Sequence, residues 1–448
     1  MRGIDELAQA LESGQITSRG LVEDSLARIA DPAGEGARAF IKVHAESARA
    51  AADAMDALRK AGRAPSRHAG IPIALKDLFD IAGESTPAGS RVLADAPDAR
   101  SHAPVVARLL RAGFISLGRV NMTEFAFSGL GINPHYGTPT SPWDRASGRI
   151  PGGSSSGTAV AVADGMAAAG LGTDTGGSCR IPAAFCGVVG YKPTARRVPI
   201  DGVLPLAPSL DSVGPLAPSV ACCAAIDSLL AGADVAARVA RAPLGGLRLA
   251  VPSNVVLEGM DATVAAAFER ALSRLSAAGA RIEHVRFAAF EEVPSVNAKG
   301  GFAASEAYAW HRHLLATRGS QYDPRIRVRI ARGEHMSAAD YVDLVNARRR
   351  LIGAFDTETA PYDAVLMPTV PIVAPTIAEL EDERRYNSIN MLILRNTALG
   401  NFFDRCSISL PCHRPGEAPA GLMITGETLG DARLFAIAAA VEAVVAAV

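Results

Sequence analysis

Two tracts rich in glycine and serine, together with one isolated lysine, carry the side chains best suited to chemistry. The first tract, residues 151–157, has the sequence PGGSSSG and leads directly into the apolar segment TAVAVADGM. Glycines allow sharp turns and close backbone approach, and hydroxyls both donate and accept hydrogen bonds. Because flexible linkers rarely run straight into buried helices, we interpret this tract as part of a site.

The second tract, residues 170–180, has the sequence GLGTDTGGSCR and could direct several backbone amides toward one point. Small residues at Thr175, Gly176 and Gly177 favour that arrangement, which an oxyanion hole or an anion nest requires. Ser178 follows immediately and is therefore a candidate nucleophile. The alternative interpretation is a plain glycine turn between two core elements.

Lys76 is one of only five lysines, against 40 arginines, and it ends the apolar run IPIAL. We therefore expect its side chain to be partly buried, and burial lowers the pKa of a lysine by penalising the charged form. A neutral amine within reach of a serine can activate that serine without a histidine. The alternative interpretation is an ordinary ion pair with Asp77 or Asp80.

The first tract also fits the nucleophile-elbow pattern Gly-x-Ser-x-Gly, with Ser155 at its centre. An elbow requires a preceding strand, whereas residues 141–152 have the composition of a loop. It also requires a downstream histidine, and we expect His311 and His313, two positions apart, on a helix surface and not as a ligand pair. Nucleotide binding is disfavoured, because neither the dinucleotide nor the P-loop glycine spacing is present.

The composition predicts a large globular protein without affinity for nucleic acid. Of the 448 residues, 49% are hydrophobic and 20% are charged, and 45 basic residues balance 46 acidic ones. Six cysteines without CxxC spacing predict buried thiols in a reducing compartment. The first 29 residues lack an apolar run, so we expect no targeting peptide, no membrane span and a cytoplasmic location.

Alternating helices and strands must position these tracts. Hydrophobic spacing predicts helices within 3–30, with Ser18 as a cap, and over 45–62, 103–112, 263–278 and 339–358. It predicts strands over 71–75, 114–117, 281–286 and 363–368. This alternation indicates an α/β fold with a mainly parallel or mixed sheet, and the loop-rich centre at 127–221 indicates a site carried on one large domain.

Three segments together resemble the amidase signature family: IPIALKDLFDIAGESTPAGS, PGGSSSGTAVAVADGM and GLGTDTGGSCRIPAAFCGVVGYKPT. The close similarity covers residues 68–217, and weaker similarity extends toward both ends. The resemblance implies one α/β/α domain over 1–448, with a twisted mixed sheet covered by helices. Within it, 1–66 would be an N-terminal helical segment and 67–220 the signature core. Residues 221–448 would supply the rest of the sheet, pocket segments and the C-terminal helix.

The resemblance also implies a serine–cis-serine–lysine triad at Ser178, Ser154 and Lys76. Ser178 would be the nucleophile, and Ser154, in a cis peptide, would relay its proton to Lys76. The remaining implied site residues are an oxyanion hole from the amides of Thr175, Gly176, Gly177 and Ser178, supporting residues Ser155, Asp174 and Arg180, and substrate-binding residues Phe127, Ser128 and Gly129. Residues 308–313 and 391–396 are further candidates for the pocket wall.

The implied reaction is hydrolysis of a small-molecule carboxamide to carboxylate and ammonia, without metal or cofactor. No direct contact with nucleic acid or membrane is implied, and homodimers are common on this fold. The alternative is the glutaminase-type, ammonia-supplying A subunit of a tRNA-dependent amidotransferase, although residues 401–413 depart from the pattern expected there. A third interpretation is a binding protein without catalysis. Cys179 stands where the family pattern has an aliphatic residue.

Overall fold

Eleven strands form a mixed sheet in the computed structural model, which describes residues 2–445. In chain order they are β1 (Phe40–Val43), β2 (Pro72–Lys76), β3 (Ile115–Val120), β4 (Ala169–Asp174), β5 (Val189–Lys192), β6 (Ser212–Ala217), β7 (Arg248–Pro252), β8 (Arg281–Val285), β9 (Ala364–Pro368), β10 (Ser407–Pro411) and β11 (Gly421–Thr425). Their order across the sheet is β1-β3-β2-β4-β6-β5-β10-β11-β9-β7-β8. The predicted α/β class is confirmed.

Helices cover both faces of this sheet. They are α1 (Ile4–Glu12), α2 (Ser18–Ala30), α3 (Gly36–Ala39), α4 (Ala45–Lys60), α5 (Pro104–Arg111), α6 (Ser156–Ala163), α7 (Arg180–Cys186), α8 (Val220–Leu230), α9 (Ala262–Ala277), α10 (Ala288–Val296), α11 (Gly301–Arg318), α12 (Pro324–Ala331), α13 (Ala338–Thr359), α14 (Glu383–Phe402) and α15 (Asp431–Val445). Successive side chains of a strand point to opposite faces, so Ile73 and Leu75 join one apolar core and Ala74 another. The result is a layered α/β/α arrangement.

The cap of α2 lies one residue earlier than the spacing predicts. Residues 3–30 form α1 and α2, and Thr17 caps α2, its hydroxyl accepting a hydrogen bond from the Gly20 amide at 3.0 Å. Ser18 is already the first helical residue. Thr17 has the extended backbone that an N-cap needs, with φ −117° and ψ 156°. The prediction that Ser18 is the cap is therefore wrong.

The cysteines match the expectation from composition. All six cysteines are free and buried, as the sequence predicted. Among the helices of residues 2–445, none has the length and apolar character of a membrane span.

The register of two parallel strands brings the candidate residues together. β2 and β4 are parallel neighbours, with Leu75 opposite Leu171, so their carboxyl ends lie at the same edge of the sheet. Lys76 is the last residue of β2 and Asp174 the last of β4. Ligand sites of open α/β sheets form at the carboxyl ends of strands, and the loop after β4 carries Ser178 there.

Candidate active site

Lys76 lies in the interior and bonds only to hydroxyls. Its Nζ is 2.8 Å from Ser154 Oγ and 2.8 Å from Thr173 Oγ1, and its side chain is fully buried. Burial lowers the pKa of Lys76 to about 7, although Asp174 and Asp211 act in the opposite direction. A lysine with this pKa is largely neutral at slightly alkaline pH, and a neutral amine accepts protons.

The ion pairs offered as an alternative for Lys76 do not form. Within residues 2–445, the Asp77 carboxylate instead lies 3.6 Å from the Arg119 guanidinium and accepts a hydrogen bond from the Gly89 amide. Asp80 accepts a hydrogen bond from the Thr86 hydroxyl at 2.6 Å.

The PGGSSSG tract leads into α6 and supplies its first two residues, Ser156 and Gly157. The peptide bond between Gly153 and Ser154 is cis. The Ser154 carbonyl accepts from the Thr123 amide at 3.1 Å, and the Ser155 amide donates to the Ser178 carbonyl at 3.3 Å. The first bond ties the serine-rich tract to the segment after β3, and the second ties it to the loop after β4 that carries Ser178.

Ser155 occupies a different position from the one a nucleophile elbow demands. Its side chain is fully buried, and its hydroxyl is 3.4 Å from the Thr173 carbonyl. Within residues 141–152 the structure contains a short 3₁₀ turn, Arg145–Ser147, and no preceding strand. An elbow places its serine on a tight strand-to-helix turn. The surroundings of Ser155 therefore favour a structural role.

The loop after β4 is organised by the carboxylate of Asp174. It accepts hydrogen bonds from the amides of Gly177 at 2.8 Å and Cys179 at 3.0 Å, and it pairs with the buried Arg180 guanidinium at 2.8 Å. Burial alone would raise the pKa of Asp174, but Arg180, with help from Lys192, lowers it to about 2. The carboxylate is therefore ionised and rigidly held at neutral pH.

The bond from Gly177 changes the expected set of oxyanion donors. Because its amide already donates to Asp174, it is not available to a ligand in this arrangement. The amides of Thr175, Gly176 and Ser178 donate no hydrogen bond to another group of residues 2–445. Gly177 is instead needed for space: a Cβ there would lie 2.2 Å from Thr397 Oγ1, and its φ of 136° disfavours other residues.

Two residues of α14 complete this loop and were missed by the sequence analysis. Thr397 Oγ1 donates to the Gly176 carbonyl at 2.7 Å. Asn401 Nδ2 donates to Asp174 Oδ1 at 2.9 Å, and the side-chain oxygen Oδ1 of Asn401 accepts from the Arg180 guanidinium at 2.6 Å. No local pattern marks these residues, because their partners lie 221 and 227 positions away in the chain.

A cavity of about 350 Å³ opens onto the loop. Ser178, Thr175 and Gly176 lie at its wall together with Phe127 and Ser128. The remaining wall is mainly apolar and includes Leu206, Leu210, Phe290, Phe302, Met391 and Phe402. The candidate nucleophile therefore lies in a cavity whose wall could bind an apolar part of a ligand.

Several candidate pocket residues take other positions. The amide of Gly129 donates to Asn390 Oδ1 at 2.9 Å, and Gly129 is not part of the cavity wall. The 391–396 segment reaches the cavity, whereas the 308–313 segment does not. His311, expected on a helix surface, is fully buried and 2.9 Å from the Tyr322 hydroxyl. It packs edge-on to Phe125, and this aromatic contact explains the error.

No group of three or more histidine, cysteine, aspartate or glutamate side chains within residues 2–445 is arranged to hold a metal ion. The helix-covered mixed sheet is the fold of amidase signature enzymes, which hydrolyse carbon–nitrogen bonds. Residues 20–435 match the sequence model of the Amidase family, and the chain belongs to this family.

The relatives divide between two roles. A 2-amino-5-chloromuconic acid deaminase from Comamonas testosteroni is 37% identical over 404 residues, which cover 89% of this chain and 86% of that protein. The A subunit of the glutamyl-tRNA(Gln) amidotransferase from Chromohalobacter salexigens is 34% identical, covering 97% and 95%. A crystal structure of an amidase superposes with a TM-score of 0.89 and 30% identity, covering 99% of both chains.

Proposed function

We propose that this enzyme is a stand-alone amide hydrolase in which Ser178 is the nucleophile, Ser154 the proton relay and Lys76 the base. The observation that carries the proposal is the fully buried Lys76 amine, 2.8 Å from the Ser154 hydroxyl and with its pKa lowered to about 7. Such an amine accepts a proton near neutral pH, which an exposed lysine does not do.

In the first half of the reaction, Ser178 Oγ forms a bond to the amide carbonyl carbon. Its proton passes to Ser154 Oγ while the Ser154 proton passes to Lys76 Nζ, so the hydroxyl of Ser154 is unchanged overall. The carbonyl π electrons move to oxygen, where amides from Thr175, Gly176 and Ser178 stabilise the negative charge. When the tetrahedral intermediate collapses, the C–N bond breaks and the same relay protonates the departing nitrogen, which leaves as ammonia.

In the second half, water attacks the ester carbonyl of acylated Ser178. Lys76 takes the proton of the water through the relay and returns a proton to Ser178 Oγ as the ester bond breaks. The carboxylic acid is released, and the enzyme regains its starting protonation state. Of the contacts that these steps need, Lys76 Nζ already bonds to Ser154 Oγ, and the Ser155 amide ties the serine-rich tract to the Ser178 carbonyl.

Ammonia release from a panel of carboxamides tests the proposal. We expect the purified protein to hydrolyse at least one of them, and Ser178→Ala and Lys76→Ala to lose activity at least about 1,000-fold, the order typical of removing a catalytic nucleophile or base. Matched controls are Ser47→Ala and Lys60→Ala, which change exposed residues of α4 and should retain activity. Full activity of folded Ser178→Ala would overturn the proposal.

The ammonia-supplying role is the second candidate, favoured by the 34% identical relative that belongs to an amidotransferase. An ammonia-supplying subunit uses the same chemistry but hydrolyses glutamine within a complex. A protein that is inactive alone, prefers glutamine and co-purifies with other proteins of such a complex would support it. Activity of the isolated chain on other amides supports the stand-alone enzyme, and its six buried free thiols fit a reducing cytoplasm.

A further inference from the structure

Two arginines line the candidate substrate cavity, and their guanidinium groups differ in one respect. Arg395 is fully engaged by protein atoms: it donates to the carbonyls of Val256 and Glu258 at 2.8 Å each, and to Asn396 Oδ1 at 3.0 Å. Arg329 forms no ion pair within residues 2–445, and its buried Nε has no hydrogen-bond partner. Arg329 is therefore the cavity cation whose donors are left for a ligand.

The protein holds Arg329 in place without neutralising it. Its guanidinium lies over the Phe127 ring, 5.3 Å from the ring centre, beside the loop that lines the cavity. The carboxylate of Asp323, which caps the same helix, pairs with Arg325 at 2.7 Å instead. Burial lowers the pKa of the Arg329 guanidinium, whereas nearby Tyr386 acts in the opposite direction.

The N-terminal end of α12 is fixed to the wall of the same cavity. The Asp323 amide donates to Glu124 Oε2 at 2.7 Å, and Glu124 is fully buried. Glu124 also accepts hydrogen bonds from Ser90 and His135, at 2.7 Å each, and begins the turn that leads to Phe127. Arg329 and the loop that contacts it are thus positioned by one buried carboxylate.

We propose that the substrate is an amide whose acyl group carries a carboxylate, bound by Arg329, and carries no cationic group. The inference rests on the proposed function, because it assumes that the scissile carbonyl lies at Ser178 in the same cavity. A guanidinium donates two parallel hydrogen bonds to a carboxylate, and an arginine without an ion-pair partner has those donors free to bind one.

The rest of the cavity wall excludes a positive charge on the substrate. Among residues 2–445, no aspartate or glutamate lines it, and apart from a few polar groups the wall is aliphatic and aromatic. An α-ammonium group would be desolvated there without a counter-charge, which is unfavourable. The best substrates are therefore half-amides of dicarboxylic acids with an apolar connecting chain, and glutamine is a poor substrate.

Three amides of matched size separate these effects: glutaramate, glutamine and pentanamide. Glutaramate is glutamine without its amino group, and pentanamide lacks the carboxylate. We expect the kcat/KM of the enzyme to be about 10- to 100-fold higher for glutaramate than for either of the others. Adipamate and hexanamide repeat the comparison with a longer chain. Equal or better cleavage of pentanamide and hexanamide would overturn the inference.

Substitution of the arginine identifies the group responsible. Arg329→Met is expected to lose the preference for glutaramate over pentanamide, mainly through a higher KM for glutaramate. Arg329→Lys should restore part of the preference. Arg327→Met, which changes an exposed arginine of the same helix, is the control and should behave as the unmodified enzyme. A preference retained in Arg329→Met would contradict the proposal.

Calorimetric titration of glutaramate and adipamate into Ser178→Ala protein separates this inference from the proposed function. Binding that disappears in the Ser178→Ala, Arg329→Met double variant supports the anion site even if no amide is hydrolysed, in which case only the proposed function fails. Absence of binding by either half-amide to folded Ser178→Ala protein overturns the anion site, whatever the enzyme hydrolyses.

Discussion

The Lys76 amine lies 2.8 Å from the Ser154 hydroxyl and 2.8 Å from the Thr173 hydroxyl in a fully buried position. Neither partner carries a charge that would favour the ammonium form. Hydroxyls can donate to a neutral amine as well as accept from a charged one, so the contacts persist in both protonation states. The site thus combines a fixed geometry with a readily titrated base.

Activity is expected to depend on deprotonation of Lys76. Because its pKa is lowered to about 7, kcat/KM should rise with pH through about 7 and level off above it. The pH profile of ammonia release from one uncharged amide measures this directly. Lys76→Arg, which stays protonated, should be inactive at every pH. A flat profile from about pH 5.5 to 8.5 would argue against lysine as the base.

The free energy of unfolding should also depend on pH through the protonation of Lys76, and the direction of this dependence follows from its pKa shift. The folded protein lowers the pKa of Lys76 from 10.5 to about 7, so the unfolded chain binds more protons between these values. The Lys76 contribution to the free energy of unfolding therefore increases as pH rises from about 7 to 10.5, and below 7 its full destabilising effect remains.

Lys76→Met removes this penalty and is expected to increase the free energy of unfolding near pH 7 by a few kcal/mol. This figure is the free energy equivalent to the whole pKa shift, reduced by the contribution of the two hydrogen bonds that the variant loses. The gain should shrink toward pH 10. Denaturant unfolding at both pH values measures it, with Lys60→Met as an exposed control. A variant less stable than the parent at pH 7 would contradict the assigned burial penalty.

The hydroxyl of Thr397 should matter for rate more than for binding. It donates to the Gly176 carbonyl at 2.7 Å and thereby orients a peptide unit beside the candidate oxyanion donors. Thr397→Val keeps the shape and removes the hydrogen bond, so we expect kcat to fall about tenfold with little change in KM. Thr357→Val, on the exposed face of α13, is the matched control. An unchanged kcat would remove Thr397 from this role.

Asp174 should contribute to stability and to activity together. Asp174→Asn leaves the buried Arg180 without its ion-pair partner, which typically costs about 3–5 kcal/mol. Thermal unfolding and ammonia release measured on the same preparation test both effects. Asp53→Asn, which alters an exposed pair with Arg19, should change neither. A variant of unchanged stability would show that the network is not needed for the fold.

The cysteines are expected to resist modification in the native protein. All six are buried, and burial raises the pKa of Cys179 far above its usual range, although this residue directly follows Ser178. A thiol reagent should label none in the folded protein and six after unfolding. Rapid native labelling of Cys179 with loss of activity would show that the site opens to solvent.

Much of the fold was accessible from the sequence because the patterns are local. The helices expected over 263–278 and 339–358 lie at Ala262–Ala277 and Ala338–Thr359, and the strand expected over 281–286 lies at Arg281–Val285. Lys76 could be singled out because an apolar run precedes it and lysine is rare in this chain. Its contact with Ser154, which the family resemblance implied, spans 78 positions and is present. The catalytic roles remain a proposal.

Local sequence patterns could not identify residues that act through contacts with distant parts of the chain. Arg329 is one of 40 arginines, and only the structure distinguishes it from the paired Arg325 in the same helix. Asn401 and Thr397 are isolated polar residues on a helix, and their role depends on packing against a loop more than 200 positions earlier. The amide of Gly177 was assigned to the oxyanion hole because sequence spacing does not reveal its bond to Asp174.

Reaction with a serine-directed fluorophosphonate, followed by peptide mapping by mass spectrometry, is the most direct test of whether Ser178 is a nucleophile activated by Lys76. We expect one modified residue, Ser178, with labelling lost in Lys76→Ala and retained in Lys60→Ala. Modification at Ser155, or none in the folded protein, would contradict the assignment of Ser178 as a nucleophile activated by Lys76.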